Sequence, residues 1–127
     1  MLEQAILLVG HGSRLEEANA ALVKLCDLAA GKRVGSIIKH AFLQFAAPSL
    51  PDALAGLATD GVKEITVVPI FLYEGVHIRE DLPEILAHQA ERFPEMRVIL
   101  APVLGIDERM AEIVWERVDA APSLEER

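Results

Sequence analysis

The chain has 127 residues, 52% of them hydrophobic and 25% charged, with a formal net charge of −8 at neutral pH. That is enough for one domain with its own core, and the acidic balance argues against a nucleic-acid partner, whose phosphates are met by clustered Lys and Arg. The apolar runs fall well short of the roughly 20 residues of a membrane span, the start lacks the basic segment of a signal peptide, and the single cysteine, Cys26, forms no internal disulfide, so a cytoplasmic protein with no membrane partner is expected.

Ala5 to Val9 reads as a buried strand. The turn Gly10-His11-Gly12-Ser13 follows, and Leu15, Ala18, Leu22, Leu25 and Ala29 then recur at helical spacing. Ser13 and Glu16 stand where a capping box needs them, and Gly31 suits the stop. The second strand is read as Ser36 to Phe45. A second helix follows Pro48, with Ser49 as cap, Pro51 in its first turn, Leu50, Leu54 and Leu57 on one face, and Gly61 at its end. Glu64 to Ile70 is the third strand, and Phe71 to Arg79 a loop. A third helix runs from Asp81 or Leu82 to Phe93, with Pro83 in its first turn. Arg97 to Ala101 is the fourth strand, Pro102 to Ile106 a loop, and Asp107 the cap of a last helix ending near Asp119. Residues 1–121 form a single domain on this reading, and 122–127 a polar tail.

Strict βα alternation predicts an α/β fold: a four-stranded parallel sheet with helices on both faces, built from flavodoxin-like βα repeats. Such sheets bind ligands at the carboxyl ends of their strands, here loops 10–14, 44–49, 71–80 and 102–107. Four strands leave two exposed edges, which natural proteins cover, so a homodimer is expected.

Two of the four histidines, His11 and His77, fall in those loops. Neutral imidazole is a common ligand for cobalt, nickel, iron and zinc, and also a proton acceptor near neutral pH. Gly10 and Gly12 flank His11 and allow close approach to the backbone. The next helix turns its N-terminal N–H groups toward the same place, which favours an anion, and Arg14 adds a fork suited to carboxylates. Around His77, Gly75 loosens the loop, Arg79 offers a second cation, and Glu80 and Asp81 orient His77 or simply begin the helix. His40 is expected at an edge, His88 in solvent and Cys26 in the core; Trp115, Ile113, Val114 and Val118 are expected to pack a helix or a dimer contact. No Gly-x-Gly-x-x-Gly follows the first strand and no P-loop is present, which removes the usual signals for dinucleotides and ATP.

Leu8-Val9-Gly10-His11-Gly12-Ser13-Arg14 with Asn19, then Phe42-Leu43-Gln44 and Pro48-Ser49-Leu50, Pro69-Ile70-Phe71-Leu72 with Gly75, His77 and Asp81-Leu82-Pro83, and Pro102-Val103-Leu104-Gly105 with Arg117, together resemble the short-form sirohydrochlorin chelatases of the CbiX/SirB type. The resemblance spans nearly the whole chain. It implies half of a class II chelatase, pairing as a homodimer where longer relatives carry two halves. It also implies ATP-independent insertion of a divalent metal into sirohydrochlorin, within cobalamin or siroheme biosynthesis. By this resemblance His11 and His77 are the catalytic and metal-handling residues. Gly10, Gly12, Ser13, Arg14, Gln44, Gly75 and Arg79 line the tetrapyrrole. The metal is a substrate rather than a resident cofactor; cobalt is favoured, with Fe²⁺ and Ni²⁺ open. Two positions depart from the pattern. Gln44 stands where several relatives carry glutamate, and an amide is no base, which leaves Gln44 and Glu80 as alternatives for the auxiliary group. Asp107 stands where many carry histidine. The rival readings are a non-catalytic metal or tetrapyrrole carrier using the same histidines, and a phosphatase or esterase built on His11 and Arg14.

Overall fold

The computed structural model describes residues 4–124. Strands β1 (Gln4–Gly10), β2 (Ile38–Phe42), β3 (Glu64–Pro69) and β4 (Arg97–Leu100) alternate with helices α1 (Glu16–Lys32), α2 (Leu50–Thr59), α3 (Val76–Arg92) and α4 (Glu108–Ala120). The strands form one parallel sheet in the order β2-β1-β3-β4. The single-domain boundary at residue 121 stays an expectation. Residues 122–124 are exposed, and the rest of the expected tail, 125–127, lies outside the described residues.

Side chains alternate across the sheet with the period of two that strands impose. Ala5, Leu7 and Val9 of β1, with Ile65 and Val67 of β3, face Leu50, Leu54 and Leu57 of α2 and Leu82 and Leu86 of α3. Ile6 and Leu8 face the other way, onto Leu22, Leu25 and Cys26 of α1, beside Phe42 and Ile70. Helices therefore lie on both faces. Cys26 is buried, as expected of a small core residue, and burial pushes its thiol pKa up, with Asp27 adding to the effect. A thiol so placed is a poor metal ligand. The fourth helix differs from the rest. None of its residues is buried, and Ile113, Val114, Trp115 and Val118 are all exposed, so they do not pack a helix within this chain. Among the described residues no helix is long and apolar enough to cross a membrane.

Several boundaries differ from the sequence reading, each for a local reason. The first helix has no Ser13–Glu16 capping box. Asn19 grips the Ser13 backbone from both sides, its Oδ1 accepting from the Ser13 N–H and its Nδ2 donating to the Ser13 carbonyl, each at 2.8 Å. The Ser13 hydroxyl accepts from the Leu15 N–H, and Leu15 becomes the N-cap without a side-chain bond. Gly31 is not the stop: α1 runs through it to Lys32, and the left-handed glycine is Gly35, at φ 89°. The second helix ends as expected. Gly61, at φ 85°, donates to the Ala58 carbonyl while Val62 donates to Leu57, a Schellman closure sealed by two buried apolar side chains. Strand β2 stops at Phe42, because its ladder with β1 ends at the Gly10–Phe42 pair.

The largest difference is α3, which begins at Val76 rather than Asp81, with Gly75 as N-cap. Ile78, Leu82 and Leu86 recur at four-residue spacing against the core, so packing carries the helix back past Pro83. That proline sits inside the helix and leaves the Arg79 carbonyl without its helical donor. Asp107 caps α4 as expected, accepting from the Arg109 N–H at 3.0 Å.

Candidate active site

The chain order reverses between β1 and β3, which are neighbours in the sheet. A crevice opens at the carboxyl ends of strands at such a switch point. His11 leaves β1 there. Its side chain is exposed, and its ring lies 4.4 Å from that of buried Phe71, which follows β3. Among the described residues its imidazole nitrogens carry no hydrogen bond, so both are open to a ligand or a proton. Phe71 is fixed in turn, its carbonyl accepting from the Gly105 N–H at 2.9 Å.

The His11 turn is laced to the segment after β2. Leu43 donates to the Gly10 carbonyl and Gln44 to the His11 carbonyl, both at 3.0 Å. Gly12 stands at φ 87°, and a Cβ there would collide with the Gln44 carbonyl oxygen. The close approach that this glycine permits is thus made by the chain's own backbone, and it holds two loops of the site together. Gly10 lies against Leu22.

Gly10 to Ser13, Asn19 and the apolar residues Ala18, Ala21, Leu22, Leu25, Phe42 and Ile70 enclose a cavity of about 420 Å³. This is within the usual range of small-molecule sites, which are mostly apolar with a few placed polar groups. It opens on the α1 face, with His11 at its rim.

The expected site residues are distributed unevenly around it. Gly10, His11, Gly12 and Ser13 line the cavity. Arg14 is exposed beside it, its guanidinium carbon over the Phe45 ring, 4.7 Å from the ring centre. Gln44 contributes its backbone to the His11 turn, and its side chain is exposed. Gly75 caps α3 rather than loosening a loop. Arg79 Nε lies 3.4 Å from Glu74 in an exposed, weak pair, so Glu74 competes with a ligand carboxylate for it. Glu80 is exposed on α3. The backbone of His77 is the second residue of α3, at the same end of the sheet as His11; its side chain lies outside the described residues. Among the described residues no three His, Cys, Asp or Glu side chains converge as a metal site.

The anion site expected at the start of α1 is opposed by an acidic first turn. Asn19 and Ser13 take the Ser13 and Leu15 N–H groups, and Glu16 and Glu17 fill the first turn. Lys39 lines a groove against α2 with Asp52 and Asp60, so it does not serve the cavity. His40 sits in edge strand β2 and His88 is exposed on α3, as expected.

Asn19, Phe71 and Phe45 gain roles in the site that the sequence reading did not assign. Asn19 carried a signal, a lone amide one turn into an amphipathic helix after a glycine turn. The two phenylalanines carried none, because Phe45 read as the end of a strand and Phe71 as the start of a loop.

The chain is similar to known proteins along most of its length. The family model described as CbiX matches residues 5–121. A sirohydrochlorin cobaltochelatase of Sulfurisphaera tokodaii is 33% identical over 114 residues, covering 90% of each chain. A sirohydrochlorin ferrochelatase of Bacillus subtilis is 32% identical over 92% of this chain and 45% of its own length. Among solved structures, the sirohydrochlorin chelatase SirB from Bacillus subtilis subspecies spizizenii, in complex with cobalt, superimposes with a TM-score of 0.83 at 30% identity. The match covers 93% of this chain and 50% of SirB. With its sheet order, its glycine-flanked His11 and this match along its length, the chain belongs to the CbiX family.

Proposed function

We propose that this protein inserts a divalent metal ion into sirohydrochlorin without ATP. The observation that carries the reading is the exposed His11 imidazole, without a hydrogen bond among the described residues, at the rim of an apolar cavity at the switch point of the sheet. Apolar walls suit the face of a macrocycle, and an open imidazole at the rim suits a metal in transit. The cavity is too small for the whole ring with its acid side chains, so the acids lie outside it, where Arg14 meets them.

In the proposed reaction His11, with His77 from the first turn of α3, takes the metal as substrate and leaves positions for the pyrrole nitrogens. Two pyrrole protons must depart, and each imidazole accepts one as the metal leaves it for the pyrrole nitrogens. The metal dissociates with the product, so the protein needs no resident cofactor. The names of the relatives, for cobalt and for iron, support either metal. Cobalt is our preference, with Ni²⁺ also compatible with imidazole.

The proposed working unit is a homodimer in the cytoplasm. The bare apolar face of α4 and the thinly covered α1 side of the sheet support it. So does the length of SirB, of which this chain matches half.

The test is to mix metal-free protein with sirohydrochlorin under anaerobic conditions and add Co²⁺, Fe²⁺ or Ni²⁺ in separate runs. The absorption spectrum of the ring is followed against a protein-free control. Acceleration is expected with at least one metal. Tight binding of metal or ring with no acceleration would establish the carrier instead.

A further inference from the structure

The segment between β2 and α2 carries a backbone feature that the proposed reaction has not used. Ala46 donates its N–H to the Gln44 carbonyl at 2.8 Å, closing a three-residue turn centred on Phe45. Phe45 has φ 63°, the one positive φ of a non-glycine among the described residues. A γ-turn of this hand is rare and strained, and a bulky side chain makes it worse. Glycine or asparagine would serve such a turn without that cost.

Core packing does not explain the phenylalanine, for Phe45 is 57% exposed. Its ring has a different neighbour, the Arg14 guanidinium, 4.7 Å from the ring centre. The turn itself is braced against the His11 loop through the Gln44 N–H bond and the Gln44 carbonyl tucked over Gly12. Bracing of this kind is what lets a strained conformation persist, and such conformations cluster at functional sites.

We propose that Phe45 is a positioning residue: its ring face holds the Arg14 guanidinium in the orientation that meets the acid side chains of the macrocycle. This rests on the reading of the cavity as the sirohydrochlorin site. A guanidinium held over an aromatic face spends no hydrogen bond there, so its N–H donors remain for a carboxylate. Arg14 has no carboxylate partner among the described residues, whereas Arg79 is paired with Glu74. Arg14 is thus a cation beside the cavity with no competing carboxylate, and Phe45 is the contact that restrains it. The turn that carries the ring is the one braced against the His11 loop.

The experiment is steady-state metallation of sirohydrochlorin by Phe45→Leu, Phe45→Tyr and Phe45→Gly. Each is made in the wild type, and Phe45→Leu also in Arg14→Gln. A cation–π contact at an exposed site corresponds to about a two- to fivefold change in KM. Phe45→Leu and Phe45→Gly are expected to raise KM for sirohydrochlorin by that factor with kcat unchanged. Phe45→Tyr should restore it, and Phe45→Leu should add nothing to Arg14→Gln. The thermal midpoint of Phe45→Gly should not fall, since glycine relieves the turn. An unchanged KM in Phe45→Leu overturns the proposal. So does a full Phe45→Leu effect in the Arg14→Gln background, which would mean that the ring acts on the macrocycle directly. A second readout needs no turnover: the Arg14 Nε–H resonance should be displaced by the ring current in the wild type and revert in Phe45→Leu. An inactive wild type would sink the functional reading, while a resonance identical in the two proteins would sink the Phe45–Arg14 contact itself.

Discussion

The two faces of the sheet are finished to different degrees. On one, Leu7, Val9, Ile65 and Val67 meet α2 and α3, and residues such as Leu54 are shut away from solvent completely. On the other, α1 alone covers Leu8, Phe42 and the half-buried Ile70, and a cavity remains between helix and sheet. The first face holds the fold. The second leaves its apolar surface incompletely covered, and that is where His11 and the cavity lie. A small domain is marginally stable, so one sealed face is what allows the other to stay open to a ligand.

This contrast is broken or sharpened by substitution. Leu54→Ala on the sealed face should cost about 2–5 kcal/mol in urea unfolding, as for large cavities in well-packed cores. The half-buried Leu25→Ala on the cavity side should cost about 1 kcal/mol. Equal losses would contradict the division. Gly12→Ala should cost about 1–3 kcal/mol through strain at positive φ. It should also slow metallation, because its Cβ pushes the Gln44 carbonyl off the His11 loop.

Trp115→Glu on the bare face of α4 should leave the unfolding transition of the diluted protein unchanged. In sedimentation it should convert a dimer to a monomer. A wild type that stays monomeric at high concentration would remove the dimer from the account.

The smallest effect is a pH dependence at Asp107. Its carboxyl is held well below the usual carboxylate range by the Arg109 side chain first and the Arg109 backbone N–H second. A lowered folded pKa gives stability that is complete above the unfolded value, near pH 4, and is lost as the pH falls through the folded one. Asp107→Ala should therefore have a slightly lower thermal midpoint than the wild type at neutral pH, a difference that closes on strong acidification. Arg109 is exposed and Asp107 half-exposed, so the effect is small.

The order of elements, the parallel sheet and the loop carrying His11 were legible in the sequence, because each rests on patterns local to a few residues. Apolar runs such as Ala5 to Val9 mark strands, and Gly10-His11-Gly12 marks a turn at a strand end. What was illegible depends on distant partners. Pro83 imitates the first turn of a helix, and only the packing of Ile78 with Leu82 and Leu86 shows that α3 starts earlier. Ser13 imitates a capping residue until Asn19 takes its backbone. Gly12 suggested room for a ligand, and the room is filled by Gln44 from another loop. Glu74 beside Arg79 is a neighbour that the reading of this stretch as a loop did not reveal.

The central claim is that the exposed imidazole at the cavity rim handles the metal. It is tested most directly by the initial rate of cobalt insertion into sirohydrochlorin for His11→Ala beside the wild type, with the thermal midpoints of both measured in the same buffer. The account predicts that insertion falls to the protein-free rate while the midpoint is unchanged, since His11 is exposed and lies outside both hydrophobic clusters. A folded His11→Ala protein that inserts cobalt at the wild-type rate would contradict it.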